Sequence, residues 1–283
     1  MTVAGGASSS REALDGAIDA LRAVGVDDPR LDAEVLLAEA TGLERAALIA
    51  GADVEPAAAR RFGEMVRRRL RREPVAYIVG RKGFRGIELA VDSQVLIPRP
   101  ETELLVEVAL EREPATVLDV GTGSGAIALA VATELPGCEV TATDTSPSAL
   151  GVARANAERL GLGGRVRFLA GSLPPEEDFE LVLANLPYVA ESEWASLQPE
   201  VTRWEPRQAL LSGPDGLDAI RELIADLVAH QGRYAGGTVT TVALEIGAAQ
   251  ADAVEALMRD AGFVAIERRR DLAGIERVVI GEL

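Results

Sequence analysis

The stretch Thr116–Gly125, TVLDVGTGSG, decides the fold of this chain. Its first half is a short apolar strand pattern, and its second half is a glycine-rich turn that leads into the helix pattern AIALAVATEL (126–135). Glycine lets a backbone approach a ligand closely and adopt positive φ angles. In a sheet of parallel strands, ligands bind beyond the carboxyl ends of the strands, where this turn lies. The stretch therefore predicts the first strand, the ligand-binding turn and the first helix of a doubly wound sheet.

Strand and helix patterns continue to alternate toward the carboxyl terminus. Further strands are predicted at CEVTATD (138–144), RVRFLAG (165–171), FELVLANLPY (179–188), TVTTVALEIG (238–247), FVAIERRRD (263–271) and ERVVIGEL (276–283). Helices are predicted at SPSALGVARANAERL (146–160), GLDAIRELIADLVAH (216–230) and AAQADAVEALMRDAG (248–262). Strands that alternate with helices are typical of α/β proteins. We therefore predict a mostly parallel, seven-stranded sheet in a domain that covers residues 97–283, closed by an antiparallel pair.

The chain before residue 97 has a different pattern. We predict a frayed tail (1–10), a small helical domain (11–74) and a β-hairpin linker (75–96). Leu14, Ile18 and Leu21 share one helix face, and Leu31, Val35 and Ala38 share a face of the next helix. In the linker, AYIVG (76–80) and FRGIELAV (84–91) read as strands joined by the turn RKG (81–83).

An arginine-rich segment, RRFGEMVRRRLRR (60–72), closes the helical leader. Its seven arginines oppose the charge of the whole chain, which is −16. Two interpretations remain open for them: a solvated helix face, or a docking surface for an acidic partner.

Composition limits the function. The chain has 283 residues, of which 48% are hydrophobic and 26% are charged, as in ordinary globular proteins. Its net acidity counts against nucleic acid, whose binding needs clustered Lys and Arg. One cysteine and one histidine exclude an internal disulfide and make a His/Cys metal site improbable. Without a signal sequence or a long apolar run, we expect a monomeric cytoplasmic protein with no metal and no membrane contact.

Two carboxylates flank the glycine-rich turn and refine its interpretation. Asp119 ends the first strand, and Asp144 ends the second, where a carboxylate can accept both hydroxyl groups of a ribose. Gly121, Gly123 and Ala126 also satisfy the dinucleotide-binding pattern, so a nicotinamide-dependent oxidoreductase is one alternative. We expect Asp119 to face the ligand, where it would repel a pyrophosphate and favour a cationic ligand.

The sequence DVGTGSG followed by Asp144 resembles the cofactor-binding turn of class I methyltransferases that use S-adenosylmethionine. The resemblance implies that Asp144 binds the ribose, that the methionine moiety lies beside the turn and that adenine lies near Ser172 and Leu173. Family members usually have an acidic and an aromatic residue at these last two positions, so the adenine contacts are expected to differ. The residues implied to bind the cofactor are Asp119, Gly121, Thr122, Gly123, Ser124, Gly125, Asp144, Ser172, Leu173 and Asn185.

The tetrad Asn185-Leu186-Pro187-Tyr188 follows the fourth strand, where amino-methylating members of that class carry (Asn/Asp/Ser)-Pro-Pro-(Tyr/Phe). The Asn185 side-chain oxygen and the Leu186 carbonyl can accept the two N–H hydrogens of an acceptor nitrogen. Tyr188 would cover the planar acceptor, and Pro187 would hold the turn. Leu186 departs from the usual proline and allows the backbone more freedom. Asn-Leu-Pro-Tyr is also the form in the rRNA adenine-N6 dimethyltransferases, which are a second alternative.

Segments on both sides of the turn separate these alternatives. The chain resembles, in order and spacing, the protein-(glutamine-N5) methyltransferases that modify peptide chain release factors. The resemblance rests on RLDAEVLLAEATG (30–42), EPVAYIVGRKGF (73–84), IPRPETE (97–103), EPRQALLSGPDGLDAI (205–220), LEIG (244–247) and DLAGIERVV (271–279).

This resemblance implies a protein substrate. The leader and the hairpin would grip a release factor, whose Gly-Gly-Gln glutamine would receive one methyl group. Asn185, Leu186, Pro187 and Tyr188, together with Arg99, Glu101 and Thr102, would line the substrate site. A third alternative is a silent S-adenosylmethionine-binding protein, because Leu186 and Leu173 both depart from the family pattern.

Overall fold

The computed structural model of the protein describes residues 8–174, 177–231 and 241–283. They form two compact units. The first comprises the described chain up to Gly80 together with Gln198–Trp204, and the second comprises Arg81–Leu197 and Glu205–Leu283. Of the predicted tail (1–10), residues 1–7 lie outside the described residues. Ser8 and Ser9 are ordered, since they pair with Val54 and Asp53.

The first unit is helical, as predicted. Its helices are α1 (Ser10–Ala23), α2 (Pro29–Thr41), α3 (Arg45–Ala50), α4 (Pro56–Leu70) and α5 (Val75–Val79), and its two short strands are β1 (Ser8–Ser9) and β2 (Asp53–Val54). Local sequence sets the bounds of α2. The Asp28 side chain accepts a hydrogen bond from Leu31 N, and Gly42 ends the helix with φ 71°.

The buried face of α2 is not the one on which Leu31, Val35 and Ala38 recur at helical steps. Helix α1 buries Leu14 and Leu21 as expected, but α2 buries a different set, namely Ala33, Leu36, Leu37 and Ala40. Leu31 is 41% exposed and Val35 is 37% exposed. Both faces of α2 carry apolar residues, so the sequence period alone could not decide which face packs against α1 and α4.

The arginine-rich segment is partly an internal ion-pair network. The Arg69 side chain is buried, and it pairs with Asp32 at 2.6 Å and with Glu200 at 2.7 Å. Glu200 belongs to α9 (Pro199–Trp204) and also pairs with Arg72. Burial alone would raise the pKa of Glu200, but hydrogen bonds from Arg72 and Arg69 outweigh it and lower that pKa. Arg69 and Arg72 fit neither a solvated helix face nor a docking surface, because their guanidinium groups form ion pairs inside the first unit.

The linker prediction is wrong for its first strand. AYIVG is not a strand: it forms α5 and its terminal glycine, because Tyr77 N and Ile78 N donate to the Pro74 carbonyl and Gly80 ends the helix with φ 75°. The hairpin that follows is made of β3 (Arg81–Phe84) and β4 (Ile87–Ala90), which pair antiparallel. Its turn is Arg85–Gly86, with Arg85 at φ 48°, and the predicted turn RKG lies within β3.

The second unit contains the predicted seven-stranded sheet. Its strands are β5 (Thr116–Val120), β6 (Glu139–Asp144), β7 (Val166–Ala170), β8 (Leu181–Ala184), β9 (Thr241–Glu245), β10 (Val264–Arg270) and β11 (Glu276–Glu282), in the order β10-β11-β9-β8-β5-β6-β7. The first five are parallel to their neighbours in that group, and β11 pairs antiparallel with both β9 and β10. The mostly parallel α/β fold and the closing antiparallel pair are confirmed.

Helices cover both faces of this sheet. They are α6 (Glu103–Arg112), α7 (Ala126–Glu134), α8 (Pro147–Arg159), α10 (Asp218–Gln231) and α11 (Ala251–Asp260). Alternate strand residues enter two separate cores: Val117 and Leu181 enter one, and Leu118 and Val182 enter the other. Burial on both faces explains why the central strands are continuous apolar runs. Among the described residues, no helix combines the length and apolarity that crossing a membrane requires.

Candidate active site

A cavity of about 320 Å³ lies in the second unit, beyond the carboxyl ends of β5, β6 and β8. The direction of strand order reverses at β5, which pairs with β6 on one side and with β8 on the other. Such a reversal opens a crevice for ligands. Eleven of the predicted site residues line the cavity: Arg99, Thr102, Gly121, Thr122, Gly123, Ser124, Asp144, Ser172, Asn185, Leu186 and Pro187.

Asp144 is held in place by the backbone of two neighbouring turns. Its carboxylate accepts hydrogen bonds from Gly123 N at 2.9 Å and from Ser146 N at 2.8 Å. These bonds tie the end of β6 to the glycine-rich turn and fix the carboxylate at the cavity wall. The arrangement is suited to accepting hydroxyl groups of a ligand.

Two glycines of the turn are required for different steric reasons. Gly121 has φ 75°, and a β-carbon there would lie 3.3 Å from the Leu186 side chain. Gly125 has φ 85°, and a β-carbon there would lie 2.8 Å from Leu129 Cδ1. Gly121 therefore keeps the turn close to the Asn185–Tyr188 tetrad. Gly125 does not line the cavity, and it leaves room at the start of α7 for the side chain of Leu129 in the same helix.

Asp119 lies beneath the turn and does not line the cavity. Its side chain is completely buried and accepts hydrogen bonds from Thr122 Oγ1 at 2.6 Å and from Ala128 N at 3.1 Å. Its second oxygen, Oδ1, has no hydrogen-bond partner among the described residues. Burial raises the pKa of Asp119 to about 7. The expectation that Asp119 faces the ligand is thus corrected: it holds the turn from below.

The tetrad at the end of β8 joins the cavity to a buried polar cluster. Asn185 Nδ2 donates to Thr102 Oγ1 at 2.9 Å, while Leu186 and Pro187 line the cavity. Tyr188 is not part of the lining. Its carbonyl accepts a hydrogen bond from Gln250 Nε2 at 2.9 Å. Burial raises the pKa of the Tyr188 phenol, whose oxygen lies 3.4 Å from Glu245 Oε1.

Glu245 has no predicted role, although it lies in the segment LEIG (244–247). It ends β9 and is 1% exposed. Burial raises its pKa to about 7, and the hydroxyl groups of Thr102 and Tyr188 oppose that rise. Its Oε2 has no hydrogen-bond partner among the described residues. The available signal was a carboxylate at the end of an otherwise apolar strand, the same signal that marked Asp119.

The remaining predicted residues are spread around this cluster. Arg99 lines the cavity and forms an ion pair with Glu205, which is itself buried and accepts from Ile97 N at 3.1 Å. Glu101 and Leu173 do not line the cavity. Leu173 packs against the core cluster that contains Leu118 and Leu244. Its side chain is therefore not placed in the cavity wall, where the predicted contact with an adenine ring would occur.

Several lining residues were not predicted. They come from the segment before IPRPETE (Gln94, Val95, Leu96), from the segment after α9 (Pro206, Gln208, Ala209) and from the first turns of α10 (Ala219, Glu222, Leu223). These positions have no shared residue type or spacing, so only the fold brings them together. In the part of the chain that the structure describes, no group of three or more His, Cys, Asp or Glu residues could hold a metal ion.

Two family models match the chain. The model described as the PrmC N-terminal domain matches residues 12–80, and a methyltransferase domain model matches residues 117–204. A release factor glutamine methyltransferase from Rhodopirellula baltica is 42% identical over 281 residues, covering 94% of this chain and 93% of its own. A protein of the same name from Bordetella pertussis is 45% identical and covers 90% of this chain and 95% of its own.

Among solved structures, the catalytic domain of hMettl16 in complex with a MAT2A 3'UTR hairpin is similar in fold. It has a TM-score of 0.55 and 15% identity, and it covers 82% of this chain and 85% of that chain. At this identity the likeness concerns the fold alone.

Proposed function

The chain belongs to the family of release factor glutamine methyltransferases, and from that premise we propose the following reaction. The protein transfers a methyl group from S-adenosylmethionine to the N5 side-chain nitrogen of the glutamine in the Gly-Gly-Gln motif of a peptide chain release factor. One observation carries this proposal at the level of the site: a single cavity is lined both by the glycine-rich turn with Asp144 and by Asn185, Leu186 and Pro187. A methyl donor on the turn would therefore lie beside the tetrad.

The cavity residues fit S-adenosylmethionine. A volume of about 320 Å³ lies within the range of small-ligand sites, which begins near 300 Å³. The Asp144 carboxylate would accept the ribose hydroxyls, Gly121, Thr122, Gly123 and Ser124 would flank the methionine moiety, and Ser172 would hydrogen-bond the adenine. S-adenosylmethionine supplies an electrophilic methyl group on a sulfonium. Asp119 would act through the turn, since its carboxylate holds Thr122 and the start of α7.

The tetrad would position the acceptor nitrogen. An amide nitrogen is a weak nucleophile, because its lone pair is delocalised into the carbonyl. The Asn185 side-chain oxygen and the Leu186 carbonyl would accept its two hydrogens, orienting the lone pair toward the methyl group. The catalytic gain would come from orientation and fixed dipoles, with no base needed before the methyl transfer. Tyr188 would cover the acceptor plane, with its phenol oxygen anchored toward Glu245.

The first unit would recognise the folded release factor. Leu31 and Val35 lie one turn apart on α2 and are exposed, although they are large apolar residues. A contiguous exposed apolar patch can mark a contact site for another protein. We propose that this pair contacts the release factor, that Arg99 and Thr102 border the glutamine site, and that the enzyme acts as a cytoplasmic monomer without direct contact to nucleic acid.

Transfer of labelled methyl groups tests the proposal. Purified protein is incubated with S-adenosylmethionine labelled in the methyl group and with an intact release factor, and the modified peptide is located by mass spectrometry. We expect one methyl group on the Gly-Gly-Gln glutamine. Substitution of that glutamine by alanine in the release factor should abolish labelling. Labelling of naked rRNA with the release factor unlabelled would overturn the proposal, as would cofactor binding without any transfer.

A further inference from the structure

Gln250 joins three segments of the chain at the carboxyl edge of the sheet in the second unit. It lies between β9 and α11, and both polar atoms of its side-chain amide are engaged. Its Oε1 accepts from Gly247 N at 2.8 Å, and its Nε2 donates to the Tyr188 carbonyl at 2.9 Å. Nε2 also makes longer contacts with the carbonyls of Asp215 at 3.4 Å and Gly216 at 3.5 Å. The amide therefore connects the end of the tetrad to the segment after β9 and to the segment before α10.

The partners of the Gln250 amide fix its orientation. A backbone N–H can only donate a hydrogen bond, and a backbone carbonyl can only accept one. A glutamine with its amide turned by 180° would therefore satisfy neither the bond to Gly247 nor the bond to Tyr188. An ionised glutamate has two acceptors and no donor, so it could keep only the bond to Gly247. The position requires one donor and one acceptor at the end of a side chain of this length, which glutamine supplies.

The packing around Gln250 leaves little space at the end of the tetrad. A β-carbon on Gly216, whose φ is 78°, would lie 2.3 Å from the Tyr188 carbonyl oxygen and 2.8 Å from Gln250 Nε2. A β-carbon on Gly247 would lie 2.9 Å from Gln250 Oε1 and 3.5 Å from Cδ2 of the Tyr188 ring. Glycine at both positions allows the backbone to approach this closely. Tyr188 is thus held at its carbonyl, and its ring lies beside Gly247.

We propose that Gln250 is a positioning residue for methyl transfer: it holds the backbone of Tyr188, so that the tyrosine ring covers the plane of the acceptor amide. The inference rests on the proposed function, because that function gives Tyr188 this task. Gln250 itself does not line the cavity, so it would touch neither reactant. A misplacement of about 1 Å near the reacting groups can lower a rate by about 100-fold. The contribution of Gln250 therefore belongs to kcat and not to cofactor binding.

Gln250→Glu is the central test. Glutamate keeps the length of the side chain and can still accept from Gly247 N, but it brings a negative charge and no hydrogen to the Tyr188 carbonyl. We expect kcat on the release factor to fall about 10- to 100-fold. The KM for S-adenosylmethionine should stay near its wild-type value. Gln250→Met, which removes both hydrogen bonds without adding a charge, should lower kcat to a similar extent. Ala249→Glu adds the same charge at the exposed neighbouring residue and should leave kcat unchanged.

A double variant separates the positioning of Tyr188 from a general structural role. If Gln250 acts through the tyrosine ring, its replacement has little left to disturb once Tyr188→Ala has removed that ring. Residues that act as a unit show such non-additive losses. In the Tyr188→Ala background, Gln250→Glu should therefore lower kcat by less than about 2-fold. Losses that multiply in the double variant would overturn the proposal.

The proposed function and the positioning role fail in different ways. Wild-type protein that fails to methylate the release factor would defeat the proposed function. Wild-type activity with an unchanged kcat in Gln250→Glu and Gln250→Met would overturn only the positioning role. A parallel loss of kcat, cofactor affinity and thermal midpoint in both variants would also overturn it, and so would an equal loss of kcat in Ala249→Glu.

Discussion

At the residue scale, Asn185 lies between the end of β8 and the cavity. The amide follows the last apolar residue of β8 and lines the cavity, with its nitrogen engaged by Thr102. That contact leaves the oxygen as the group available to an acceptor. A single side chain thus combines a place at the cavity wall with a fixed orientation, which is what an electrostatic contribution to catalysis needs.

Asn185→Ala should abolish most turnover while preserving cofactor binding. The substitution removes one acceptor from the reacting nitrogen, and loss of one preorganised hydrogen-bonding group typically costs about 10²- to 10³-fold in kcat. Titration calorimetry should give a dissociation constant for S-adenosylmethionine close to that of the wild type, because Asp144 and the turn are untouched. Asn185→Asp keeps an oxygen in place and should lose less activity. A comparable loss of cofactor binding in Asn185→Ala would show instead that the residue maintains the cavity.

The sequence predicted the residues whose signal is local. Asn185, Asp144 and the glycines stand at the ends of apolar runs, and a strand followed by a polar residue is visible without a structure. Glu245 gives the same local signal but has no glycine-rich turn or proline beside it, so the sequence pattern does not single it out. The cavity positions Gln208 and Glu222 carry no such signal, because their placement depends on how distant segments pack.

At the scale of elements, the turn between β5 and α7 depends on a buried charge. Asp119 accepts hydrogen bonds from Thr122 and Ala128, which close the turn, yet burial raises its pKa to about 7. In the unfolded chain the group ionises near its ordinary value of 3.8. Between these two pH values the folded protein holds one proton more than the unfolded chain. Stability contributed by this group is therefore complete below about pH 4 and declines as pH rises toward 7.

Asp119→Asn should remove that decline. The amide oxygen can still accept from Thr122 and Ala128, but no charge is buried. We expect the thermal midpoint of the variant, minus that of the wild type, to increase from pH 4 to pH 7 by several degrees and then stay constant. Differential scanning fluorimetry across this range measures the difference. Asp260→Asn, an exposed change at the end of α11, serves as the control and should show no such trend. A pH-independent difference for Asp119→Asn would contradict the account.

The type of an element was predicted correctly where the apolar pattern and the capping residues indicated the same element. The prediction was wrong where the two disagreed. AYIVG contains aromatic and branched residues that favour a strand, but Pro74 supplies the carbonyl that starts a helical turn and Gly80 ends it. In α2 the helix itself was predicted correctly and its buried face was not. The helical period does not identify the buried face when both faces carry apolar residues, because packing against α1 and α4 decides which face is buried.

At the scale of the whole molecule, the chain does not divide at one point along its sequence. The segment Gln198–Trp204 follows the tetrad, yet it belongs to the first unit, where Glu200 pairs with Arg69 and Arg72. Removing one partner from a buried ion pair typically costs 3–5 kcal/mol, roughly, so these pairs matter to the first unit. A linear reading of the sequence placed the arginines on a surface, because their acidic partner lies far along the chain.

The double variant Leu31→Ser with Val35→Ser tests whether the first unit recognises the substrate protein. Both side chains lie on the more exposed side of α2, so the change should lower the thermal midpoint by no more than a few degrees. If the pair contacts the release factor, the KM for the intact factor should rise by about 10-fold, which corresponds to roughly 1.4 kcal/mol of lost contact. A short peptide that carries Gly-Gly-Gln lacks the folded surface that would contact α2, so its kcat/KM should not change. Leu272→Ser, at a fully exposed apolar residue of the second unit, is the matched control. Equal effects on the factor and on the peptide would place the defect in the cavity and refute recognition by α2.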